Sequence, residues 1–474
     1  MTSTTSSDAD VRPVGFRSDR GPILIALMLS TSLVALDSTI IATAVPSVVD
    51  SLGGFTSFPW LFSIYLLAQA VSVPIYGRFA DLYGRKPIIF LGIGLFLLGS
   101  ILCGFAWSMP ALIAFRAVQG LGAGAVQPIA MTIAGDIYTV AERARVQGYL
   151  ASVWAISAVV GPTLGGVFSE WISWRWIFFV NIPFCLLAGW LLARNLKEKV
   201  ERTPHVIDVR GALLLTVGCA LLILGLLEGG EAWAWNSLPS LVVLIVGPLM
   251  LIGFVLVERT AAEPILPLWV LRRRLLAATS ATTFLVGAVL LGLTSYVPTY
   301  VQTALGTGPL TAGFALATLT LGWPIAASLS GRLYLRIGFR NTALIGSVLV
   351  VAGAALTATL GLGSSVWQVG LYCFVVGLGM GLVASPSLIA AQSSVGWTDR
   401  GVVTGTNMFA RSVGSAVGVA LFGAIANASL GGSDNPTAQA MSTAAHQVFL
   451  VGAVLTVLMG LAVAFIPKRI DAPA

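Results

Sequence analysis

The segment Leu33-Val34-Ala35-Leu36-Asp37-Ser38-Thr39-Ile40-Ile41-Ala42-Thr43-Ala44-Val45-Pro46 decides how the rest of the chain reads. One acid, Asp37, sits inside an apolar run that starts near Pro22 and continues past Ile41. Such a run is long enough to cross a bilayer as a helix. A carboxyl group there is costly, so it faces a cavity or a partner and marks an ion or proton pathway. Burial disfavours the charged form, a property that lets such a group take up and release a proton. The chain around Asp37 then reads as a scaffold that exposes this side chain to one side of a membrane and then to the other.

Composition agrees. Of the 474 residues, 57% are hydrophobic and only 9% are charged, where a soluble domain carries about 25% charged residues. Mean hydropathy is +0.92. Lipid-spanning backbone is either helical or a closed barrel, and the apolar runs here are continuous rather than alternating, so helices are expected. The net charge of +7 suggests nucleic acid at first sight. The basic residues, however, fall in short segments between apolar runs, as in cytoplasmic loops, so no nucleic-acid partner is expected. Cys103, Cys185, Cys219 and Cys373 all lie within apolar runs and form no C-x-x-C pair, which makes them packing residues. No cleavable signal peptide is expected, and the first helix directs insertion.

Fourteen spans are predicted. The first six are near 22–43, 58–77, 87–106, 109–133, 147–169 and 174–194, followed by two near 209–227 and 238–257. Six more fall near 276–300, 310–330, 339–360, 365–390, 402–427 and 446–467. An even count puts both termini on one side. With that side inside, the inner segments hold Arg78, Arg85, Lys86, the run from Arg194 to Arg210, Arg272 to Arg274 and Arg340, whereas the outer loops hold one basic residue, Arg175. This asymmetry sets an N-in, C-in topology.

The chain also repeats itself. GRFADLYGRK at 77–86 aligns with GRLYLRIGFR at 331–340, QGLGAG at 119–124 with VGLGMG at 376–381, and Glu142-Arg143 with Asp399-Arg400. The first six and last six spans are therefore two copies of one six-helix unit, with two spans inserted between them. Two similar halves with a site between them near the midplane is a transporter architecture.

These residues resemble the major facilitator superfamily, in particular its fourteen-helix drug:proton antiporter branch. Leu36-Asp37-Ser38-Thr39-Ile40 is similar to that branch's first-helix motif, and GRFADLYGRKP at 77–87 to the superfamily's loop between spans two and three. LIAFRAVQGLGAGA at 112–125, GPTLGG at 161–166 and WRWIFFVNIP at 174–183 resemble the fourth-, fifth- and sixth-helix motifs. Two departures stand out: Ser157 occupies a position often glycine in the antiporter motif, and Leu335 replaces the acid of the loop motif in the second copy. The resemblance implies an all-α membrane protein of two pseudo-symmetric six-helix bundles plus two inserted helices. The expected division is an N-terminal tail 1–21, a first bundle 22–194, a linker with two spans 195–275, a second bundle 276–467 and a tail 468–474. It also implies a monomer in a bacterial plasma membrane that exports small hydrophobic or amphiphilic compounds, drugs among them, in exchange for protons. An exporter of a lipid, metabolite or amino acid on the same fold, or a non-transporting membrane sensor, remains open.

Asp37 is predicted to lie roughly 22 Å into its helix from inside, and Arg116 roughly 10 Å into its helix from outside. In a core about 30 Å thick the two share a depth, so they are expected to form a pair that proton binding releases; a static pair, or an Arg116 that snorkels outward, is the alternative. In the loop motif, Gly77 and Gly84 allow a tight turn and close helix approach. The resemblance puts Asp81 at a helix N-terminus of the other half, near Gly401, where free N–H groups favour an anion. Arg85 is expected to pair with Asp136 or Glu142, closing a cytoplasmic gate. Alternatively, these charges only set topology. Gly161, Gly165 and Gly166 permit close helix approach, Pro162 removes one backbone donor and allows a bend, and the resemblance adds a seal against proton leak, with plain packing as the alternative.

Arg411 is placed roughly 13 Å from the inner face, lining a cavity or reaching the inner headgroups. Polar candidates for that cavity are Gln69, Gln119, Gln127, Asn181, Gln302, Gln392 and Asn407, and aromatic ones are Tyr65, Trp154, Tyr296, Tyr300 and Trp323. Helix packing is the ordinary role of any one of them. Glu142 and Arg143 read as a solvated helix start. No phosphate-cradling Gly-Lys-Ser/Thr loop is present, and no His, Cys or carboxylate cluster suggests a metal, so neither an enzyme, a catalytic residue nor a cofactor is expected and the proton gradient is the driving force. With a single intramembrane acid, a neutral, zwitterionic or monocationic cargo is easier to accommodate than a dication.

Overall fold

The computed structural model describes residues 15–53, 60–198, 208–229, 233–261, 264–430 and 437–469. Among the described residues, fourteen helices are long and apolar enough to cross a membrane. They are α1 (Gly21–Leu52), α2 (Trp60–Tyr83), α3 (Arg85–Gly104), α4 (Met109–Ile137), α5 (Val140–Trp171) and α6 (Asn181–Asn195), the last preceded by one turn at Trp176–Phe179. The inserted pair is α7 (Val209–Glu228) and α8 (Leu238–Glu258). The second half comprises α9 (Arg274–Thr303), α10 (Pro309–Ile337), α11 (Phe339–Ala358), α12 (Val366–Ser393), α13 (Arg400–Leu430) and α14 (Ala438–Ala464). Several helices run past the expected spans; α5 begins seven residues and α13 two residues earlier than read. Pro74, Pro128, Pro162, Pro324 and Pro386 sit inside helices, which membrane helices tolerate because neighbours satisfy the freed carbonyl.

The glycine repeats explain how each half packs. Residues two apart on a helix face nearly opposite ways. A Cβ on Gly120 or Gly124 would meet Tyr65 O or Ser72 Oγ of α2, whereas one on Gly122 would meet Phe96 N of α3. The second copy repeats this. A Cβ on Gly377 or Gly381 would strike Leu319 O or Trp323 O of α10, and one on Gly379 would strike Val350 N of α11. The alternating glycines thus let α4 and α12 each press between two neighbours, with backbones in contact as small residues allow in lipid. The turns from α2 to α3 and from α10 to α11 match as well. Each passes through a glycine in the left-handed region, Gly84 at φ 96° and Gly338 at φ 84°, a conformation costly for any residue with a Cβ.

One buried apolar cluster runs through α1 to α6 and another through α9 to α14. The inserted pair joins the first half through Leu215, Cys219 and Phe254, which pack with Val71 of α2. It touches α13 through Ile223, beside Ala70 and Ala416. On its other side α8 leaves Leu241, Ile245, Leu249, Ile252 and Leu256 exposed, a stripe suited to lipid.

Candidate functional site

Asp37 and Arg116 meet deep inside the first half. Arg116 Nη1 donates to Asp37 Oδ2 at 2.6 Å, and both side chains are 1% exposed. Gln119, one turn along α4 and on the same face, donates through Nε2 to Asp37 Oδ1 at 2.8 Å and to Ser100 Oγ at 2.9 Å. Its Oε1 accepts from Arg116 Nη1 at 2.7 Å, and Arg116 Nε donates to Leu61 O at 3.1 Å. The guanidinium lies 4.1 Å over the Tyr65 ring, a cation–π contact that favours the charged arginine. Asn181 Nδ2 extends the network to Ser100 Oγ at 3.3 Å. Two buried atoms of this cluster, Tyr65 Oη and Asn181 Oδ1, have no hydrogen-bond partner among the described residues. The pairing predicted from depth is present. Of the two expectations for Asp37, a cavity or a partner, the structure shows the partner: one oxygen accepts from Arg116 and the other from Gln119, both within its own half.

A second polar assembly lies at the basic end, which loop charge marks as cytoplasmic. Asp81 accepts from the N–H groups of Gly401 at 2.8 Å and Val402 at 2.6 Å, so it caps the first turn of α13 across the interface between halves. Arg85 Nη2 lies 2.9 Å from Asp81 Oδ1, and Arg85 Nε donates to Asp136 Oδ2 at 2.9 Å. The same guanidinium donates to Trp397 O and stacks 3.9 Å from the Trp397 ring. Arg400 from the second half pairs with the other oxygen of Asp136. Gly77 makes this approach possible: a Cβ there would stand 2.7 Å from Gly401 O. Further bonds joining the halves are Arg143 Nη1 to Ser393 Oγ at 3.0 Å, Gln392 Nε2 to Met131 O at 3.3 Å and Tyr334 Oη to Val140 O. All of these lie at the basic end, which is therefore closed.

Glu142 and Arg143 correct the expectation of a solvated helix start. They are 3% and 7% exposed. Glu142 accepts from Thr139 N at 2.9 Å and pairs with Arg20, and Arg143 Nε donates to Tyr138 O at 2.9 Å. The Glu142 carboxylate raises the pKa of Arg20, chiefly through their hydrogen bond.

The α5 motif lies against α1 two residues from Asp37. A Cβ on Gly161 would stand 2.0 Å from Thr39 Oγ1, and that hydroxyl donates to Ser157 O at 2.9 Å. Pro162 sits within a continuous α5 and Gly165 is buried, but Gly166 has open space around it.

The cavity candidates divide. Tyr65, Gln119 and Asn181 belong to the enclosed Asp37 network. Tyr300 is fully buried, donates to Gly361 O at 2.8 Å and packs on Phe449, so it is a core residue. Asn407 is 3% exposed and accepts from Thr283 Oγ1 at 2.6 Å. Trp154 packs on the first core, and Tyr296 and Trp323 on the second, each half-buried. Gln392 belongs to the closure. Gln69 and Gln127 pair at 3.4 Å, and Gln302 is half-buried near the end of α9. Arg411 is half-buried on α13. Sequence reasoning missed Ser100, Arg20, Trp397 and the role of Arg400; the alignment of Glu142-Arg143 with Asp399-Arg400 was the one available signal for Arg400.

Residues 27–419 match the family description Major Facilitator Superfamily. Among curated relatives, Multidrug resistance protein 3 of Bacillus subtilis is 35% identical, over 85% of this chain and 79% of its own length. Multidrug transporter protein MdtP of the same organism is 33% identical, over 88% and 77% respectively. Efflux pump dotC of Dothistroma septosporum is 31% identical, over 84% and 70%. The crystal structure of the human organic anion transporter MFSD10 superposes with a TM-score of 0.64 over 92% of this chain and 99% of that one, at 18% identity. That last likeness concerns the fold alone.

Proposed function

Since the chain belongs to the major facilitator superfamily, and is a multi-pass membrane transporter rather than an enzyme, we propose that it exports hydrophobic or amphiphilic compounds in exchange for protons. The printed names of its Bacillus relatives, multidrug resistance and multidrug transporter proteins, support drug efflux as the activity. It acts as a monomer in the plasma membrane with no bound cofactor.

The observation that carries proton coupling is the buried ion pair of Asp37 and Arg116, held by Gln119 and closed to solvent. Removing one partner of such a pair leaves an uncompensated charge, which costs about 3–5 kcal/mol. Protonation of Asp37 removes that partner's charge without breaking the chain, so a proton is able to shift the balance between two arrangements of the first half. Thr39, packed on Gly161 two residues away, passes a movement of α1 to α5, which contacts the second half. The closure built on Asp81, Arg85 and Asp136 holds the cytoplasmic side shut, and its release would admit cargo from inside.

The test is export from proteoliposomes under an imposed pH gradient, run against a compound panel. The wild-type chain is expected to move at least one panel compound only when the gradient is present, and Asp37→Asn to lose that dependence while still inserting. Full gradient-driven export by the variant sinks the proposal.

A further inference from the structure

Two acids meet where the inserted spans reach the basic end. Asp208 caps α7, its Oδ1 accepting from Gly211 N at 2.9 Å, as a side-chain oxygen does for a helix's first free N–H groups. Glu258 is the last residue of α8 and is 4% exposed. Its Oε1 accepts from Leu266 N at 2.6 Å. Each carboxyl thus gives one oxygen to the backbone. The other two oxygens, Asp208 Oδ2 and Glu258 Oε2, are buried and have no hydrogen-bond partner among the described residues. Buried oxygens of this kind ordinarily have one.

The two free oxygens converge on one point. A Cβ built on Gly211 would stand 2.2 Å from Asp208 Oδ2 and 3.0 Å from Glu258 Oε2, so the oxygens lie no more than 5.2 Å apart. Few charges face them. From α2, Arg78 acts on Glu258, but its Nε is likewise buried with no hydrogen-bond partner among the described residues. Arg210 of α7 and Arg259 after α8 are exposed, where water screens them. Ile265, Leu266 and Ile75, which pack nearby, are neutral. Two acids against one buried arginine leave one negative charge over.

Carboxylates that share a buried site do not both ionise; one proton is held between them, and its titration belongs to the pair. A proton on either oxygen also makes it a donor to the other. We propose that Asp208 and Glu258 form a proton-binding site separate from Asp37, loaded from the basic end through the half-buried Asp208 and emptied as pH rises on that side. Arg78 directly follows Gly77, which packs on Gly401 in the closure. The inserted spans therefore set an exchangeable charge beside the latch. Nothing in this inference rests on the export reading.

The experiment follows the protonated-carboxyl C=O band by infrared difference spectroscopy, on the full-length chain in lipid nanodiscs, between about pH 5 and pH 9. The wild-type chain is expected to show a band that disappears as pH rises. Asp37→Asn is expected to keep that band, which separates it from any proton on Asp37. Glu258→Gln and Asp208→Asn are each expected to lose it. Either amide keeps the oxygen that accepts from the backbone and donates to the remaining carboxylate, so that carboxylate stays charged and the unfolding midpoint at the acid end stays at the wild-type value. Exchanging sodium chloride for N-methylglucamine chloride at fixed pH is expected to leave the band unchanged. A wild-type chain with no such band overturns the proposal, as does a band that outlives either amide variant or vanishes with Asp37→Asn. So does an amide variant with a lowered midpoint, or a band that sodium removes, which would mark a metal-cation site instead.

Discussion

The two places where the loop motif meets the opposite half are built from aligned residues and work differently. At the junction of α2 with α13, Asp81 reaches across to two backbone N–H groups, Arg85 bridges Asp81, Asp136 and Trp397, and Arg400 answers from the other side. At the junction of α10 with α5, Leu335 stands where Asp81 would, and it is 58% exposed. Phe339 replaces Arg85 and stacks on Tyr334 at 4.6 Å, and Tyr334 donates one hydroxyl bond to Val140 O. The N-terminus of α5 needs no visitor, because Glu142 already reaches back to Thr139 N. One junction is thus held by charge across the interface and the other by ring stacking and a single neutral bond. Interactions that require a buried carboxylate can be lost in one step, whereas apolar contacts weaken gradually. The difference suits a charged latch beside a pivot.

That contrast is open to direct attack. The largest effect is expected from Asp81→Ala, which leaves the buried N–H groups of Gly401 and Val402 without their acceptor and Arg85 with Asp136 as its one remaining acid; breaking a buried pair costs about 3 kcal/mol or more. A cysteine placed at Ser387, a residue 1% exposed, should then be labelled from the basic side roughly a hundredfold faster. Unchanged labelling would remove Asp81 from the latch. Arg85→Lys keeps the charge but loses the planar fork and the stack on Trp397, so a middling shift of about 1–2 kcal/mol is expected in the same assay. At the other junction, Tyr334→Phe deletes one hydrogen bond and should change accessibility by about 1 kcal/mol at most. The smallest effect belongs to Leu335→Asp, within about 0.5 kcal/mol, since the first turn of α5 is already served. If Leu335→Asp closed the molecule as firmly as Asp81 does, the two junctions would be interchangeable and the contrast would fail.

Much of this was legible in the residues. Fourteen apolar runs, the loop-charge asymmetry and the repeated glycine motifs gave the helices and their pairing, because lipid permits few alternatives to a helix. The depth of Asp37 and Arg116 predicted their contact, and the family resemblance, rather than the residues themselves, implied that Asp81 would meet Gly401. What escaped were partners far apart in sequence. Nothing near Glu142 announces Arg20, and a Glu-Arg pair opening a helix looks the same whether water or protein covers it. Gln119 appeared as one polar residue among many; only the fold shows that it shares a face of α4 with Arg116 and holds the second oxygen of Asp37. Tyr300 looked like a cavity aromatic, yet its hydroxyl is spent on Gly361 O.

The central claim is that Asp37 exchanges the coupling proton. It is tested most directly by loading proteoliposomes with a panel compound that the wild-type chain transports, then following lumenal pH with a trapped dye as the compound leaves. The account predicts that the lumen acidifies with the wild-type chain, and that with Asp37→Asn it does not, although compound-for-compound exchange continues. Equal acidification by the Asp37→Asn chain would contradict it.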